Sequence, residues 1–535
     1  MAEFGALNWS ILLVYLIANL ILGYVLSQKV SSADDFYLGR RTTPWWAIGI
    51  SVVATYVSAL SFLGGPAWVY SESLAVIAIH VNYPLVIFIV ITYFLPFFYN
   101  SGVASIYEYQ ERRFGPSSRV VMSAIFMISQ ALTSAAILYA TALVLQFITG
   151  IDVITAIVAV SIVAVIYTMM GGITAVIWTD VIQAGVLFVG ALIILFALID
   201  ELPAPVTEVL ANLKATGKTN PLDWSFDLSK EATIWSGVIA MTLFHTTVYG
   251  ANQMMVQRTL AARNIGDAKK SFLMMGYAAF FIYFLFMVLG VLFYGYYEGR
   301  EFENGNTIIL QFASDYGLPG LMGVLAAAVI AASMSSLDSS LNSMATVSTV
   351  DFYQRFYKPD ADSQHLLVVS RVFTLIWAAA IIVPAILYSR SEGSILQTLS
   401  QVGSYFVGAK LSMYGLGFFS KHATERGVLA GVVVGFGVIW WVATQTDIAW
   451  PWYCLIGGVV NVSVSLTVSL LMDGRQSTWS DYTIKGQQAL FARENKPEKE
   501  LGWYVVPGKI DAGSWGLIVF FVASLLFLAS FESLF

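Results

Sequence analysis

The chain has 535 residues, of which 58% are hydrophobic and only 11% carry a charge. Soluble proteins have a charged fraction of about 25%, so this composition excludes an ordinary soluble protein and indicates a polytopic membrane protein. The formal net charge of -6 is scattered, without the basic block that would indicate nucleic acid or anionic lipid as a partner. The single cysteine, Cys454, excludes a disulfide framework and a thiolate metal cluster.

Fourteen segments are long enough to cross a bilayer, which takes about 20 apolar residues. The first, Asn8 to Leu26, lacks a basic start and a cleavage site, so we expect a retained helix and not a signal peptide. The predicted spans are 8–27, 45–70, 73–99, 119–148, 152–171, 176–199, 233–256, 271–297, 319–349, 367–389, 395–420, 426–447, 450–472 and 513–533.

The basic residues predict the orientation of these spans. If the amino terminus lies outside, inner connections hold twenty Lys and Arg residues, Arg258 among them, and outer connections hold five. Cytoplasmic loops carry the excess of Lys and Arg, so we expect both termini outside and a location in the cell (inner) membrane.

The most informative stretch is the apolar but serine-rich segment from Ala326 to Val347. At about 100° per residue its polar side chains share one face of a helix. Lipid cannot satisfy such a face, so it must look into the protein or a water-filled cavity. Either it packs against another helix, or its oxygens bind a hard cation, which predicts a sodium site. The face comprises Ala332, Ser335, Asp338, Ser339, Asn342 and Ser343, with Ser336 at its edge.

Two spans carry residues typical of a broken helix. Ser58, Ser61 and the run Gly64 to Pro66 lie in the second span, and His245 to Asn252 lie in the middle of the seventh. Each alone could be a kinked packing helix. They hold corresponding places if spans two to six and seven to eleven are repeats, which is typical of transporters built of inverted repeats with substrate at the midplane.

With these features the chain resembles the sodium:solute symporter family of sugar, sialic acid, proline, glucose and monocarboxylate carriers. The resemblance rests on the serine helix and four motifs in the family's order. These are DDFYLGRRTTPWWAIG from Asp34, SIYEYQERRF from Ser105, YTMMGGITAVIWTDVIQ from Tyr167 and YGANQMMVQRTLAA from Tyr249.

The resemblance implies an all-α membrane protein with a LeuT-like fold of five plus five inverted helices, one helix before them and three after. We therefore expect five units. These are 1–44 with the extra helix, 45–199 as the first repeat, 200–232 as an outer loop, 233–420 as the second repeat, and 421–535 with three helices and an inner loop at 473–512.

The resemblance also implies where sodium binds. The general family site carries over to the carbonyl oxygens of Ala54, Val57 and Ala332 and the hydroxyls of Ser335 and Ser336.

A second sodium ion in some family members implies a site formed by Asp180, Ser335 and Ser339. Sialic acid carriers have a serine where this chain has Asp338. The second carboxylate either tightens the second cation site or leaves one of the two acids protonated.

The expected substrate cavity departs from the sugar carriers. Polar residues of the galactose carrier are replaced by Ser61, His80, His245 and Ala279, and the arginine of the sialic acid carrier aligns with Thr133. The remaining candidates for substrate binding are Ser58, Ser61, His80, Thr133, His245, Gln401, Tyr405 and Lys410.

Lys410 lies in mid-span, where an ammonium should face an acid of the protein or a substrate anion. The structural alternatives are a pair with Asp338 or a neutral lysine. With FLGGPAWVY at Phe62 to Tyr70, which resembles the monocarboxylate and sialic acid carriers, Lys410 favours an organic anion over a neutral sugar or polyol.

We therefore expect sodium-coupled uptake of a small solute, with no other cofactor and with a monomer sufficient. A proton-driven carrier using Asp180, Asp338 and His80 is the nearest rival. A solute-sensing module is a second alternative, although no signalling domain is expected after the last span. The spacing of residues shows neither a channel filter nor the nucleophile, base or metal cluster of an enzyme.

Overall fold

The computed structural model describes residues 4–27, 41–101, 105–170, 173–390 and 394–535. Residues 28–40, which were predicted to form an inner connection and include the first half of the first family motif, and the two glycines at 171–172 lie outside these ranges. The first half of the described chain contains α1 (Ala6–Ser27), α2 (Trp45–Tyr56), a π-turn (Leu60–Gly64), α3 (Gly65–Ser71), a 3-10 helix (Leu74–Ile79), α4 (Tyr83–Ile89), a π-turn (Val90–Phe94), α5 (Leu95–Ser101), α6 (Glu108–Arg113), α7 (Pro116–Thr149), α8 (Val153–Met170), α9 (Ile173–Glu201) and α10 (Val206–Lys214).

The second half begins with another interrupted helix. It contains a π-turn (Ser236–Ala240), α11 (Met241–Gly250), α12 (Gln253–Leu260), α13 (Ile265–Tyr296), a 3-10 turn (Gly305–Thr307), α14 (Ile308–Tyr316), α15 (Leu321–Val347) with a π-helical end (Ser348–Tyr357), α16 (Ser363–Ala380), α17 (Ile382–Tyr388), α18 (Ile395–Phe419), α19 (Glu425–Gln445), α20 (Pro451–Met472), α21 (Ile484–Arg493), β1 (Lys499–Glu500), β2 (Trp503–Tyr504), α22 (Ala512–Ser530) and a 3-10 turn (Phe531–Leu534).

Within the described ranges, 10 helices are long and apolar enough to cross a membrane, and the bent pair Trp45–Tyr56 and Leu60–Ser71 makes 11 if it is one span. Three of the fourteen predicted spans do not meet the same criterion. The apolar part of the fifth is the shorter helix Val153–Ile166, the seventh is divided between α11 and α12, and the eleventh carries Lys410. The protein is a mostly helical, multi-pass membrane protein.

Helix α15 is the centre of the fold. Nearly all of its residues are buried, and it packs against α1, α2, α7, α8, α9 and α16. The serine-rich face therefore meets other helices and an internal cavity. Most polar groups of this face thereby find partners that lipid could not provide, although among the described residues Asp338 Oδ2 and Asn342 Nδ2 have none.

Glycines bring three helices near the carboxyl end into backbone contact. Gly431 of α19 faces α20 so closely that a Cβ atom there would lie 2.1 Å from the Ser465 hydroxyl oxygen. Gly408 of α18 contacts the backbone of α20, where a Cβ atom would lie 2.9 Å from the Gly458 nitrogen. Small residues permit this close approach between membrane helices, so α18, α19 and α20 form a tightly packed group.

The predicted inner loop at 473–512 contains secondary structure of its own. It holds the helix α21 and a short antiparallel hairpin in which Lys499 pairs with Tyr504. The expectation of an all-α protein therefore needs a small correction at this hairpin.

Candidate sodium site and substrate cavity

The second span is broken as its sequence predicts. Helix α2 ends at Tyr56, and the chain bends by 55° before it continues as a helix from Leu60. The Ser58 hydroxyl accepts a hydrogen bond from the Leu60 amide at 3.2 Å, which stabilises the turn locally. A helix end leaves carbonyl groups without intrahelical partners. Ala54 and Val57, the carbonyl positions implied for sodium, lie in and just after this last turn, and both are buried.

Helix α15 reaches this break through one of its serines. The Ser336 hydroxyl donates a hydrogen bond to the Thr55 carbonyl oxygen at 2.8 Å and a longer one to Ala332 at 3.3 Å. Its neighbour Ser335 donates to Asp180 Oδ1 at 2.5 Å. Ser335 and Ser336 thus link the end of α2 to a carboxylate of α9, and oxygen atoms from three helices meet there.

Asp180 is the centre of a buried polar network that sequence reasoning described only in part. Its Oδ2 accepts hydrogen bonds from Ser51, from Thr55 at 3.4 Å and from the Arg258 guanidinium at 3.3 Å. The charge count placed Arg258 in an inner connection, but its side chain is fully buried. A buried arginine is retained where a carboxylate pairs with it, and its position directly after the second helix break was the signal that could have identified it.

Asp180, Ser335 and Ser339, the residues implied for a second sodium, all lie within this network. Arg258 also donates to the Ser339 hydroxyl, so a guanidinium lies between Ser339 and Asp180. Asp338 turns towards α8 instead, where its Oδ1 accepts a hydrogen bond from the Thr168 hydroxyl at 2.6 Å. Asp180 and Ser339 therefore already share a cation, and Asp338 belongs to another contact.

A cavity lies beside the break, and six of the eight predicted substrate residues line it. These are Ser58, Ser61, His80, Thr133, His245 and Lys410. Ser336 lines the same cavity, so the serine that contacts the end of α2 is also part of the cavity wall.

Gln401 and Tyr405 do not reach this cavity. The face of α18 that lines it is formed by residues at helical spacing, including Ser400, Gly403, Val407 and Lys410. Gln401 is exposed on another face, and Tyr405 packs against Tyr453 with ring centroids 5.6 Å apart. The polarity of these two residues predicted that they line the cavity, but both lie on faces of helix α18 that do not line it.

An aromatic cluster forms one wall of the cavity. The His80 ring stacks on Tyr283 with centroids 3.9 Å apart and an interplanar angle of 9°, and its Nδ1 lies 3.3 Å from the Tyr83 hydroxyl. His245 Nδ1 lies 2.9 Å from Asn82 Oδ1. Among the described residues, the buried His80 Nε2 has no hydrogen-bond partner. His80 lines the cavity, so a polar group of a ligand there could supply the missing partner of this nitrogen. Tyr83, Tyr283 and Asn82 of this cluster were not identified from sequence.

Lys410 lines the cavity from helix α18. Its ammonium donates a hydrogen bond to the Ser129 hydroxyl at 2.5 Å and lies 6.0 Å from the Phe126 ring centroid. In the part of the chain that the structure describes, no carboxylate forms an ion pair with it, and it is not paired with Asp338. The ammonium is thus buried with only one neutral hydrogen-bond partner.

Known proteins are similar to this chain in sequence and in architecture. The profile of the sodium:solute symporter family matches residues 36–435. The sodium/sialic acid symporter NanT of Aliivibrio fischeri is 30% identical over 470 residues, covering 86% of this chain and 92% of that protein. The human sodium-coupled monocarboxylate transporter 1 is 28% identical over 431 residues, covering 78% and 70%.

Solved structures give the same result at the level of fold. A substrate-bound, outward-open Na+-coupled sialic acid symporter superimposes with a TM-score of 0.81 at 28% identity, covering 88% of this chain and 99% of that one. A nucleobase-cation-symport-1 family transporter shares the fold alone, with a TM-score of 0.53 at 13% identity, covering 84% and 96%. Together with the broken helix and the serine-lined cavity, these matches show that the chain belongs to the sodium:solute symporter family.

Proposed function

We propose that the protein takes up a small organic anion together with sodium, by alternating access across the cell (inner) membrane. The observation that carries this proposal is the position of Ser336. Its hydroxyl contacts the broken end of α2 and lines the cavity that also contains Lys410. A sodium ion at this serine and a solute in the cavity would share one wall.

The sodium ion would be held by the carbonyl oxygens of Ala54, Val57 and Ala332 and by the hydroxyls of Ser335 and Ser336. All five residues are buried. Hard cations prefer several oxygen ligands, and neutral ligands avoid the cost of several buried charges. Ser335 donates its proton to Asp180, so the lone pairs of its hydroxyl oxygen remain free for a cation.

Coupling follows from the shared wall. Sodium would fix the end of α2 against α15 and so order one side of the cavity, where Ser58 and Ser61 also lie. If sodium raises the affinity for the solute, linkage requires the solute to raise the affinity for sodium by the same factor. The membrane potential adds about 2.3 kcal/mol per charge per 100 mV to inward sodium movement.

The preference for an anion rests on Lys410 and His80. An ammonium in a membrane interior is costly unless an anion compensates it, and Lys410 has only the Ser129 hydroxyl. The free Nε2 of His80 can donate a second hydrogen bond when the other ring nitrogen accepts one. The relatives named above are symporters of sialic acid and of monocarboxylates, which are organic anions.

We also propose the finer topology implied by the family. It has fourteen spans, of which spans two to eleven form two inverted repeats, and both termini lie outside. The two interrupted helices support this arrangement because each stands at the start of its proposed repeat. The exposed apolar side chains of α1, such as Val14 and Ile21, are suited to lipid.

Uptake into proteoliposomes tests this proposal. The panel contains sialic acid, a short monocarboxylate, galactose, glucose, myo-inositol and proline, each with and without an inward sodium gradient. We expect one of the first two solutes to accumulate only with sodium. Accumulation of galactose or myo-inositol instead would favour the sugar or polyol alternative, and gradient-independent uptake would contradict sodium coupling.

Two serine variants localise the ion. Ser336→Ala should abolish sodium-dependent uptake because it removes the hydroxyl that contacts α2. Ser333→Ala is the matched control, since the Ser333 hydroxyl bonds only to Val329 of its own helix at 2.9 Å. Full sodium-dependent uptake by a normally expressed Ser336→Ala protein would contradict the assigned site.

A further inference from the structure

Lys410 is the only lysine or arginine among the described residues that line the cavity. An ammonium has three N–H donors, and one of them bonds to the Ser129 hydroxyl at 2.5 Å. Ser129 in turn donates to the Phe126 carbonyl oxygen at 3.0 Å, so it is a neutral partner. Two donors therefore remain for a solute, and the two oxygen atoms of a carboxylate match them.

Most of the serine and threonine hydroxyls in the cavity wall already donate their protons within the protein. Thr133 donates to the Ser129 carbonyl oxygen at 2.9 Å, and Ser400 donates to the Leu396 carbonyl oxygen at 2.8 Å. The other lining serines that donate to an atom of the protein are Ser129, Ser336 and Ser340. A hydroxyl group has a single proton, so none of these side chains has a donor left for a solute.

The cavity wall becomes apolar away from Lys410. On α18, the residues Val407, Leu399 and Leu396 follow it at helical spacing towards the start of the helix. Phe244 of α11 stands against this face, since a Cβ atom at Gly403 would lie 3.4 Å from its ring. The side chains that we call the apolar wall are Ile137, Phe244, Val248, Leu396, Leu399 and Val407.

Helices α7 and α18 run in opposite directions along the cavity. Arg113, which precedes α7, donates to the carbonyl oxygen of Gly417 near the end of α18 at 3.2 Å. Further along α7, Ser129 contacts Lys410. Ile137 lies about two turns after Ser129, or about 12 Å along the axis, and therefore towards the start of α18. A solute held by Lys410 thus extends its other end towards Ile137 and along the apolar wall.

The two ends of the cavity therefore favour different groups of a solute. A CH2 group that leaves water for an apolar surface raises the affinity about four-fold. A hydroxyl group that loses its hydrogen bonds to water there lowers the affinity about ten-fold. The wall thus selects an apolar chain and rejects a polyhydroxylated one.

We propose that the transported anion is a monocarboxylate with an apolar carbon chain, bound with its carboxylate at Lys410 and its chain along the apolar wall. The inference rests on the sodium-coupled anion symport proposed above and narrows its solute. It makes Leu399 and Ile137 residues that determine specificity. Polyhydroxylated anions are excluded, and with them the sialic acid named for one of the similar symporters.

Calorimetric binding of carboxylates to the purified protein in saturating sodium tests the solute class. The series propanoate, butanoate, pentanoate and hexanoate lengthens the chain by one CH2 group at a time, and we expect the affinity to rise about four-fold at each step. Gluconate is the matched control for hexanoate, because it has the same carbon skeleton with hydroxyl groups attached. Gluconate and sialic acid should each bind at least about a hundred-fold more weakly than hexanoate.

The variant Leu399→Ala tests the position of the chain. Leu399 is half-buried in the apolar wall, so its truncation should weaken the binding of hexanoate about ten-fold. Propanoate is too short to reach it and should keep its affinity within about two-fold, whereas a merely structural defect would affect both solutes alike. Leu375→Ala is the matched control, since Leu375 of α16 is 44% exposed and lies outside the cavity.

The solute class is overturned if gluconate or sialic acid binds as tightly as hexanoate, if the affinity does not change with chain length, or if no carboxylate of the series binds. Equal loss for propanoate and hexanoate in Leu399→Ala would overturn the position of the chain. The comparison of hexanoate with gluconate needs no variant, so it decides the class even if Leu399→Ala does not fold. Failure of the symport proposal is a separate result, because hexanoate would then bind without stimulating the uptake of radioactive sodium into proteoliposomes.

Discussion

Replacing Lys410 by methionine tests the electrostatic basis of anion selection. Methionine has a similar length and flexibility, so it fills the space of the lysine stem while removing the ammonium. In the structure the ammonium has one partner, Ser129 at 2.5 Å, and lies at the surface of the cavity. The change should therefore affect a bound anion more than it affects the surrounding helices.

The size of the effect follows from the bond that is lost. A hydrogen bond to a charged group contributes about 2 kcal/mol, which corresponds to a loss of affinity of about 30-fold. The effect on stability should have the opposite sign. A buried ammonium without an anion is unfavourable, and an apolar residue of similar volume is neutral or stabilising in such a place. We therefore expect weaker uptake from a protein that is at least as heat-stable as the wild type.

Sodium-driven uptake of the anion over a range of concentrations measures the first quantity, and thermal unfolding of the purified protein without solute measures the second. Lys410→Arg keeps the charge and should lose less affinity than Lys410→Met. Lys485→Met is the matched control, since that side chain lies over Trp479 in the segment at 473–512 and not in the cavity. An unchanged KM in Lys410→Met, with anion as the transported solute, would refute the role of the ammonium.

Three further outcomes follow from the packing. Arg258→Gln leaves Asp180 buried without its cation and should lower the free energy of unfolding by about 3–5 kcal/mol. Adding Asp180→Asn should recover part of this loss. Equal stability of the wild type and Arg258→Gln in thermal unfolding would contradict the ion pair. Gln401→Ala should leave the KM for uptake within about two-fold of wild type, because its side chain faces away from the cavity; a large rise in KM would place it in the transport path. Gly431→Val should lower the melting temperature because its Cβ would overlap the Ser465 hydroxyl, whereas Gly437→Val, where a Cβ meets nothing within 4 Å, should not.

The periodicity of one helix predicted the inward-facing serines because 100° per residue fixes which side chains share a face, whatever lies opposite. The break in the second span was predicted from its Ser, Gly and Pro residues, but the chain breaks at residues 57–59, and Gly64 to Pro66 lie in the helix that follows. The Ser336 hydroxyl was identified as a sodium ligand from the helical periodicity together with the family resemblance. Its binding of sodium remains a prediction.

The positions of other residues depend on tertiary packing, which the sequence of a single helix does not determine. Arg258 was counted with the basic residues of the inner connections, yet it is buried and paired with Asp180 on a distant helix. The stack of His80 on Tyr283 joins residues about 200 positions apart, and Gln401 was misplaced because a shift of one residue turns a helical side chain by about 100°. Such contacts follow from the packing of helices and not from any one helix.

The contact of Gly408 with the backbone of α20 has a consequence for movement. Lys410 lies two residues further along α18, and α20 is joined to α19 by its own glycine contacts. If α18 tilts during the transport cycle, it must slide along α20 or carry α19 and α20 with it. A larger residue at Gly408 would then wedge the two helices apart and change the turnover rate, while the affinity for sodium at the proposed site on α2 and α15 would stay the same.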